Sequence, residues 1–308
     1  MRALRTGPLL AATVATIGVF LSLTGCSVAG DDRPVVMVST NILGDVVGEL
    51  VGDEAEVVTL MKPNADPHSF EISAQEGARL RSADLVVSNG LRLEEGLQQH
   101  LDAASAENVP SFVAGDAIEV LDYSEGDAAG NPDSHFWTDP ARMIAVVDAL
   151  EPVLAGLDGA DSTVISERTA DYRAQLETLD DEMSTAFAAI PDERRALVTN
   201  HHVFGYLADR FDFAVVGAVI PGGTTLAAPS ASDLSDLVDA VDSSGVRTIF
   251  AESSSPDRLV QALASEADIS VDVVQLYTES LSDADGGAPD YLTMMRVNAE
   301  RIATGLST

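Results

Sequence analysis

STVISERTADYRAQLETLDDEMSTAFAA, residues 162–189, is the stretch that divides this chain. Tyr172, Leu176, Leu179, Met183 and Phe187 recur at steps of four and three, with charged and other polar residues on most of the positions between them. That period lays one apolar stripe along a single long amphipathic helix. The helix must end before Pro191, because a proline drives the residue ahead of it out of the helical region.

On either side of this helix the pattern changes to short apolar runs alternating with helical ones. On the N-terminal side, strands are expected at 35–39, 56–61 and 85–88. Helices are expected from Asn41, a capping residue, through Val51, and at 74–81 and 93–104. A Gly-, Asp- and Ser-rich loop over 116–134 precedes Asp139-Pro140, which opens a helix carrying Ile144, Val147, Leu150 and Leu154 on one face. On the C-terminal side, strands are expected at 196–199, 213–219, 248–251 and 271–276, with helices between them. A last helix from about 289 would bury Leu292, Met295 and Ile302. Alternating βα units call for mostly parallel sheets covered by helices. The expected class is α/β, with two lobes of parallel-sheet βα units, 34–160 and 191–308, joined by one long rigid helix at 161–190.

The composition narrows the possible partners. The chain has 308 residues, is 46% hydrophobic and carries a formal net charge of −33, with Lys62 its only lysine. So acidic a protein is repelled by nucleic acid and by anionic membrane surfaces. Most of the excess charge reads as a surface of solvated carboxylates.

The N-terminus carries a separate message. Arg2 and Arg5 precede an apolar run over 8–23, ending in Leu23-Thr24-Gly25-Cys26, which has the form of an export signal. The run is also close to the length of an uncleaved membrane anchor. Cys26 is the only cysteine, so it can form no internal disulfide. Leu-Thr-Gly-Cys resembles the lipobox of bacterial lipoproteins. The resemblance implies removal of 1–25, acylation of Cys26, a tether over 26–33 and an extracytoplasmic protein anchored to the membrane by lipid.

Candidate chemistry lies in the histidines. Of the five, His68 follows the strand expected to end at Met61, His135 sits in a turn before Phe136-Trp137-Thr138-Asp139-Pro140, and His201-His202 follow the strand at 196–199. Glu279 stands just past the strand at 271–276. Ligands of parallel α/β sheets gather beyond the carboxyl ends of the strands. Three imidazoles and one carboxylate form a four-coordinate N₃O set suited to Zn²⁺. Two candidates lie before the long helix and two after it, which places the metal between the lobes. His100, beside Gln98, Gln99 and Asp102, reads as surface, and Trp137 as packing behind the site. Pro221-Gly222-Gly223 lacks the spacing and the lysine of a phosphate-binding loop.

These same stretches resemble the cluster A-I solute-binding lipoproteins that serve manganese and zinc ABC importers. The likeness spans nearly the whole mature chain. It rests on Asp66-Pro67-His68, on Asn89-Gly90-Leu91 with Leu93-Glu94, on His135-Phe136-Trp137-Thr138-Asp139-Pro140 and on His201-His202-Val203-Phe204-Gly205-Tyr206. The resemblance implies two (βα)₄-like lobes, a rigid connecting helix and one buried metal site with ligands at His68, His135, His201 and Glu279. His202 stands where the family commonly has an acidic residue, and Glu279 where it usually has aspartate. Histidine at the third ligand position marks the zinc carriers, whereas manganese carriers place a carboxylate there. The loop ahead of His135 lacks the long His-rich insertion of many zinc members.

The expected function is therefore capture of Zn²⁺ outside the membrane and delivery to an ABC permease, by a monomer that is not an enzyme. A metallochaperone is a further candidate partner. The alternatives are a manganese carrier, an adhesion protein, and a zinc hydrolase, which would need an open coordination position and a general base. No His-Glu-x-x-His helix occurs.

Overall fold

The structure, a computed structural model, describes residues 33–307 apart from 125–127, 221, 227–229, 255–257 and 267–270. Cys26, the export segment 1–25 and all but the last residue of the tether lie outside the described residues. Among those described, no helix is long and apolar enough to cross a membrane.

The first sheet is built from β1 (Val35–Val38), β2 (Glu56–Thr59), β3 (Leu85–Ser88) and β4 (Ser111–Val113), in the order β2-β1-β3-β4. The second repeats the plan with β5 (Ala196–Thr199), β6 (Ala214–Ala218), β7 (Thr248–Glu252) and β8 (Asp272–Leu276), in the order β6-β5-β7-β8. Every strand pair is parallel. The helices are α1 (Asn41–Val51), α2 (Ala74–Leu80), α3 (Gln98–Ala106), α4 (Pro140–Leu154), α5 (Ser162–Ala188), α6 (Gly205–Phe211), α7 (Ala231–Ser244), α8 (Arg258–Glu266) and α9 (Tyr291–Ser307). The two-lobed α/β class is as expected from the sequence.

Residues alternate between two cores, as the twofold period of a strand dictates. Val36 and Val38 of β1, with Leu85 and Val87 of β3, face a large central core, while Met37 and Val86 face a smaller one under α2 and α3. In the second sheet Leu197 and Phe250 join the central core, and Val198, Ile249 and Ala251 pack under α7 and α8. The central core is common to both lobes, so the lobes are not independent bodies on a tether.

Helix α5 runs through that core. Asp161 caps it by accepting from the Thr163 amide at 2.9 Å, and its 27 residues give it a length of about 40 Å. Ile165, Thr169, Tyr172, Leu176, Leu179, Met183 and Phe187 are its buried stripe, which packs against α1, α4 and α9. At its end Phe187 meets Phe211 and Phe213 edge to face, with ring centroids 5.1 and 5.0 Å apart. Helix α1 approaches its sheet so closely that a β-carbon on Gly44 would lie 2.2 Å from Thr59 Oγ1. Only glycine fits there. Helix α9 flanks the outer strand β8, where Arg301 Nη1 donates to Gln275 O at 2.7 Å and Asn298 bonds both backbone groups of Tyr277.

Two local expectations need correction. Helix α3 starts at Gln98 rather than 93, after a left-handed turn at Gly90, Leu91 and Arg92, whose φ lie between 53° and 77°. The buried Glu94 carboxylate holds that turn by accepting from the amides of Asn89 and Gly90 at 2.6 and 3.2 Å. The three-residue strand β4 is too short for its alternation to register in the sequence.

A half-buried carboxylate beside the shared core has a raised pKa. Asp45 of α1 accepts from the Tyr291 amide of α9 at 2.9 Å, yet burial, with the nearby charges of Asp290 and Glu49, pushes its pKa from 3.8 up to about 6. A raised folded-state pKa means that the unfolded chain releases this proton first. Stability is then lost as pH rises from about 4 to 6 and stays lower above that, by at most about 3 kcal/mol. Asp45→Asn keeps an acceptor for the Tyr291 amide and should be the more stable protein at pH 7.5 but not at pH 4. Chemical denaturation at both values checks this. An offset independent of pH would refute the assignment.

Candidate metal centre

Four loops bring one side chain each to a single buried point. His68 lies in the irregular stretch between β2 and α2. Its backbone is fixed by Asp66, whose Oδ1 accepts from the His68 amide at 2.8 Å and whose Oδ2 accepts from Thr225 Oγ1 at 2.5 Å. The same loop is tied to the segment after Glu279, since the Asn64 amide donates to Leu281 O at 2.9 Å. His135 repeats the device: Asp133 Oδ1 accepts from its amide at 2.9 Å. Asp-x-His, with the aspartate bonding the backbone two residues on, thus occurs twice and presents an imidazole each time.

His201 follows β5 directly, and its carbonyl accepts from Thr199 Oγ1 at 2.7 Å. Glu279 follows β8 by three residues. All four side chains are at most 1% exposed. Glu279 Oε1 lies 2.8 Å from His68 Nε2, 3.0 Å from His201 Nε2 and 3.2 Å from His135 Nε2, and the His68 and His135 Nε2 atoms are 3.4 Å apart. The four residues form the one metal-competent His/Cys/Asp/Glu group among the described residues.

Those separations can be compared with coordination geometry. Ligands held about 2.0–2.2 Å from a tetrahedral ion stand about 3.3–3.6 Å from one another. The observed spacings approach that range from below, so a small outward movement of the donors admits an ion. Glu279 Oε2 and His68 Nδ1 are buried with no hydrogen-bond partner, which leaves Oε2 available as a further donor. In such a site all three Nε2 atoms face the ion and each Nδ1 must look outward.

Two of the outward nitrogens face buried carboxylates. Asp133 Oδ1 is 2.8 Å from His135 Nδ1, with the Tyr123 hydroxyl at 3.1 Å. Glu252, at the end of β7, places Oε2 3.4 Å from His201 Nδ1 and is itself held by Asn200 and Ser254. Carboxylates behind metal-bound imidazoles fix the tautomer and raise ligand basicity. Neither was singled out from sequence. Asp133 was legible as the second Asp-x-His; Glu252 had only its strand-end position.

The electrostatics follow from burial. Desolvation lowers the pKa of His201, but the Glu279 and Glu252 carboxylates outweigh it and hold the imidazole well above its usual range. His135 is also raised against its burial, by Asp133 and Glu279. Burial alone would raise Glu279, yet the three histidines draw it well below the ordinary carboxylate range. Burial and the Glu279 charge together raise Glu252. The cluster is a buried ion-pair network whose proton positions a divalent cation can take.

The remaining histidines stand apart from this group. His202 is half-buried, its ring 6.5 Å from that of Tyr123, and it lines a cavity of about 340 Å³ with Asp122 and Asp133. His100 is half-buried rather than a plain surface residue, for a β-carbon on Gly77 of α2 would lie 2.7 Å from its Nδ1.

Comparison with known proteins agrees with this architecture. Residues 36–305 match the family described as zinc-uptake complex component A, periplasmic (ZnuA). The chain is 26% identical to the iron-binding protein YfeA of Yersinia pestis over 304 residues, 96% of each chain. It is 27% identical to the manganese ABC transporter substrate-binding lipoprotein PsaA of Streptococcus pneumoniae over 287 residues, 91% of each chain. The structure of the periplasmic zinc-binding protein TroA from Treponema pallidum superimposes with a TM-score of 0.82 at 26% identity, covering 90% of this chain and all of that one. These relatives are named for three different metals, PsaA as an ABC transporter substrate-binding lipoprotein, and the family is one of solute-binding transport proteins rather than enzymes. The chain belongs to the zinc-uptake component A family, the cluster A-I metal-binding proteins of ABC importers.

Proposed function

We propose that this protein captures Zn²⁺ outside the membrane and delivers it to the permease of an ABC importer. The observation that carries the reading is the donor set: three imidazole nitrogens and one carboxylate oxygen, each 2.8–3.4 Å from its measured neighbours. Nitrogen-rich, four-coordinate surroundings suit zinc, whereas Mn²⁺ prefers oxygen donors and a larger coordination number. His68, His135, His201 and Glu279 are the proposed ligands. The lobes 34–160 and 191–308 would each supply two of them across the helix 161–190.

The ligand positions also speak against hydrolysis. Glu279 occupies the coordination position that a catalytic zinc keeps for water, so nothing is left to activate. Asp133 and Glu252 add negative charge behind the site without entering it, which favours a dipositive cargo over a monovalent one.

A manganese carrier is the rival reading, supported by the manganese-named relative. Competition between Zn²⁺ and Mn²⁺ for the metal-stripped protein decides between them. We expect zinc to displace manganese at equal concentration; the reverse order would overturn the zinc assignment.

Single alanine variants test the ligands. Loss of His68, His135 or His201 should weaken zinc binding by more than the 10- to 100-fold, approximately, that follows loss of an outer partner. Glu279→Ala should cost less than a histidine, because water can replace its oxygen. His202→Ala should leave affinity nearly unchanged, since its ring packs toward Tyr123 outside the four. Loss of binding in His202→Ala with retention in His201→Ala would reverse the assignment at this position.

The lipobox completes the proposal. The mature protein should begin at an acylated Cys26 and partition with membranes, held there beside its permease. More than one acyl chain is needed for a stable anchor. Cys26→Ser should abolish acylation and release the protein; an intact mass of the native chain without acyl addition would rule the anchor out.

A further inference from the structure

Trp137 lies two residues after His135, and Thr278 stands immediately before Glu279. The Trp137 indole Nε1 donates to the Thr278 carbonyl at 2.8 Å, in surroundings where the tryptophan is 2% exposed. One hydrogen bond therefore connects the segment carrying a ligand from the N-terminal part of the chain to the segment carrying one from the C-terminal part. The indole is itself anchored, because the Tyr291 hydroxyl donates to the Trp137 carbonyl at 2.6 Å and the Tyr291 amide donates to Asp45 at 2.9 Å.

The segment around Glu279 is restrained on both sides, and Asn41 Nδ2 donates to Ser280 Oγ at 2.8 Å just after the ligand. Tyr277 is held by Asn298 on one side, and the Leu281 amide donates to Asn41 at 3.0 Å on the other. The Thr278 hydroxyl has no bond partner, so on the N-terminal side of Glu279 the Trp137 contact is the described bond that fixes the residue preceding the ligand. Glutamate needs such a fixed base. It has one more rotatable bond than aspartate, and each additional torsion must be ordered, at a cost in side-chain entropy, before its carboxylate can meet three imidazoles at once.

We propose that Trp137 is a positioning residue for the metal site: its indole N–H sets where Glu279 presents its carboxylate to the three histidines. The proposal rests on the metal-site reading above. Packing alone is the competing role, for the Trp137 ring also lies against His135, with centroids 5.2 Å apart. The two roles differ in what happens when the N–H is removed while the shape is kept.

Trp137 is the only tryptophan in the chain, so growth in a tryptophan auxotroph supplied with β-(3-benzothienyl)alanine exchanges this N–H alone for sulfur. The full chain carrying that isostere, and separately Trp137→Phe, is stripped of metal and titrated with Zn²⁺, each with Glu279 present and in a Glu279→Ala background. With Glu279 present we expect the isostere to weaken zinc binding about tenfold, the scale of an outer-shell loss. In the Glu279→Ala background the same exchange should change affinity by less than about twofold, because no carboxylate is left to position. Equal losses in both backgrounds would assign Trp137 to packing and overturn the proposal, as would no loss with Glu279 present. Should Trp137→Phe fail to fold, the isostere decides by the same comparison. Unchanged zinc affinity in Glu279→Ala itself would instead overturn the ligand assignment of Glu279, and the positioning role of Trp137 with it.

Discussion

A carboxylate buried among imidazoles is the constraint on which the site depends. Taking Glu279 out of water costs several kcal/mol if its charge is left uncompensated, and its Oε1 recovers that cost by facing His68, His135 and His201 together. A divalent ion bound on the proposed ligands would balance the same charge. Asp133 and Glu252 stand behind two of the imidazoles and favour positive charge on them.

Such an arrangement requires donors from distant parts of the chain to be held to within a fraction of an ångström. The shared core makes that possible. Helix α5 is buried against α1, α4 and α9, and the alternate residues of both sheets enter the same apolar mass. The loops beyond the strand ends are then carried on a common base. Hydrogen bonds across the site, from Asn64 to Leu281 and from Thr225 to Asp66, set the remaining freedom of the loops themselves.

Much of this could be read in advance because it follows from period and position. The four-and-three spacing from Tyr172 to Phe187 identifies α5, and the β-branched runs give seven of the eight strands. Strand-end placement was enough to group His68, His135, His201 and Glu279, which the structure brings together. What could not be read depends on tertiary context. The left-handed turn at Gly90–Arg92 that delays α3 is held by the Glu94 carboxylate from inside the protein. Glu252 acquires its place behind His201 only because β7 pairs beside β5. The bond from Trp137 to Thr278 joins residues 141 positions apart, beyond the reach of any local pattern.

His68 and Glu279 are separated by 211 positions. The first donor leaves the ribosome long before the last, and helix α9, which secures Tyr277 and covers β8, is made later still. A chain exported unfolded therefore has nowhere to hold a metal ion, since coordination sites of this kind do not exist in the unfolded state. On the proposed export route, the ion would be acquired on the side of the membrane where the last helix docks. With the proposed ligands in this order along the chain, the compartment of folding would also be the compartment of loading, and the metal pool of the cell that makes the carrier would stay untouched.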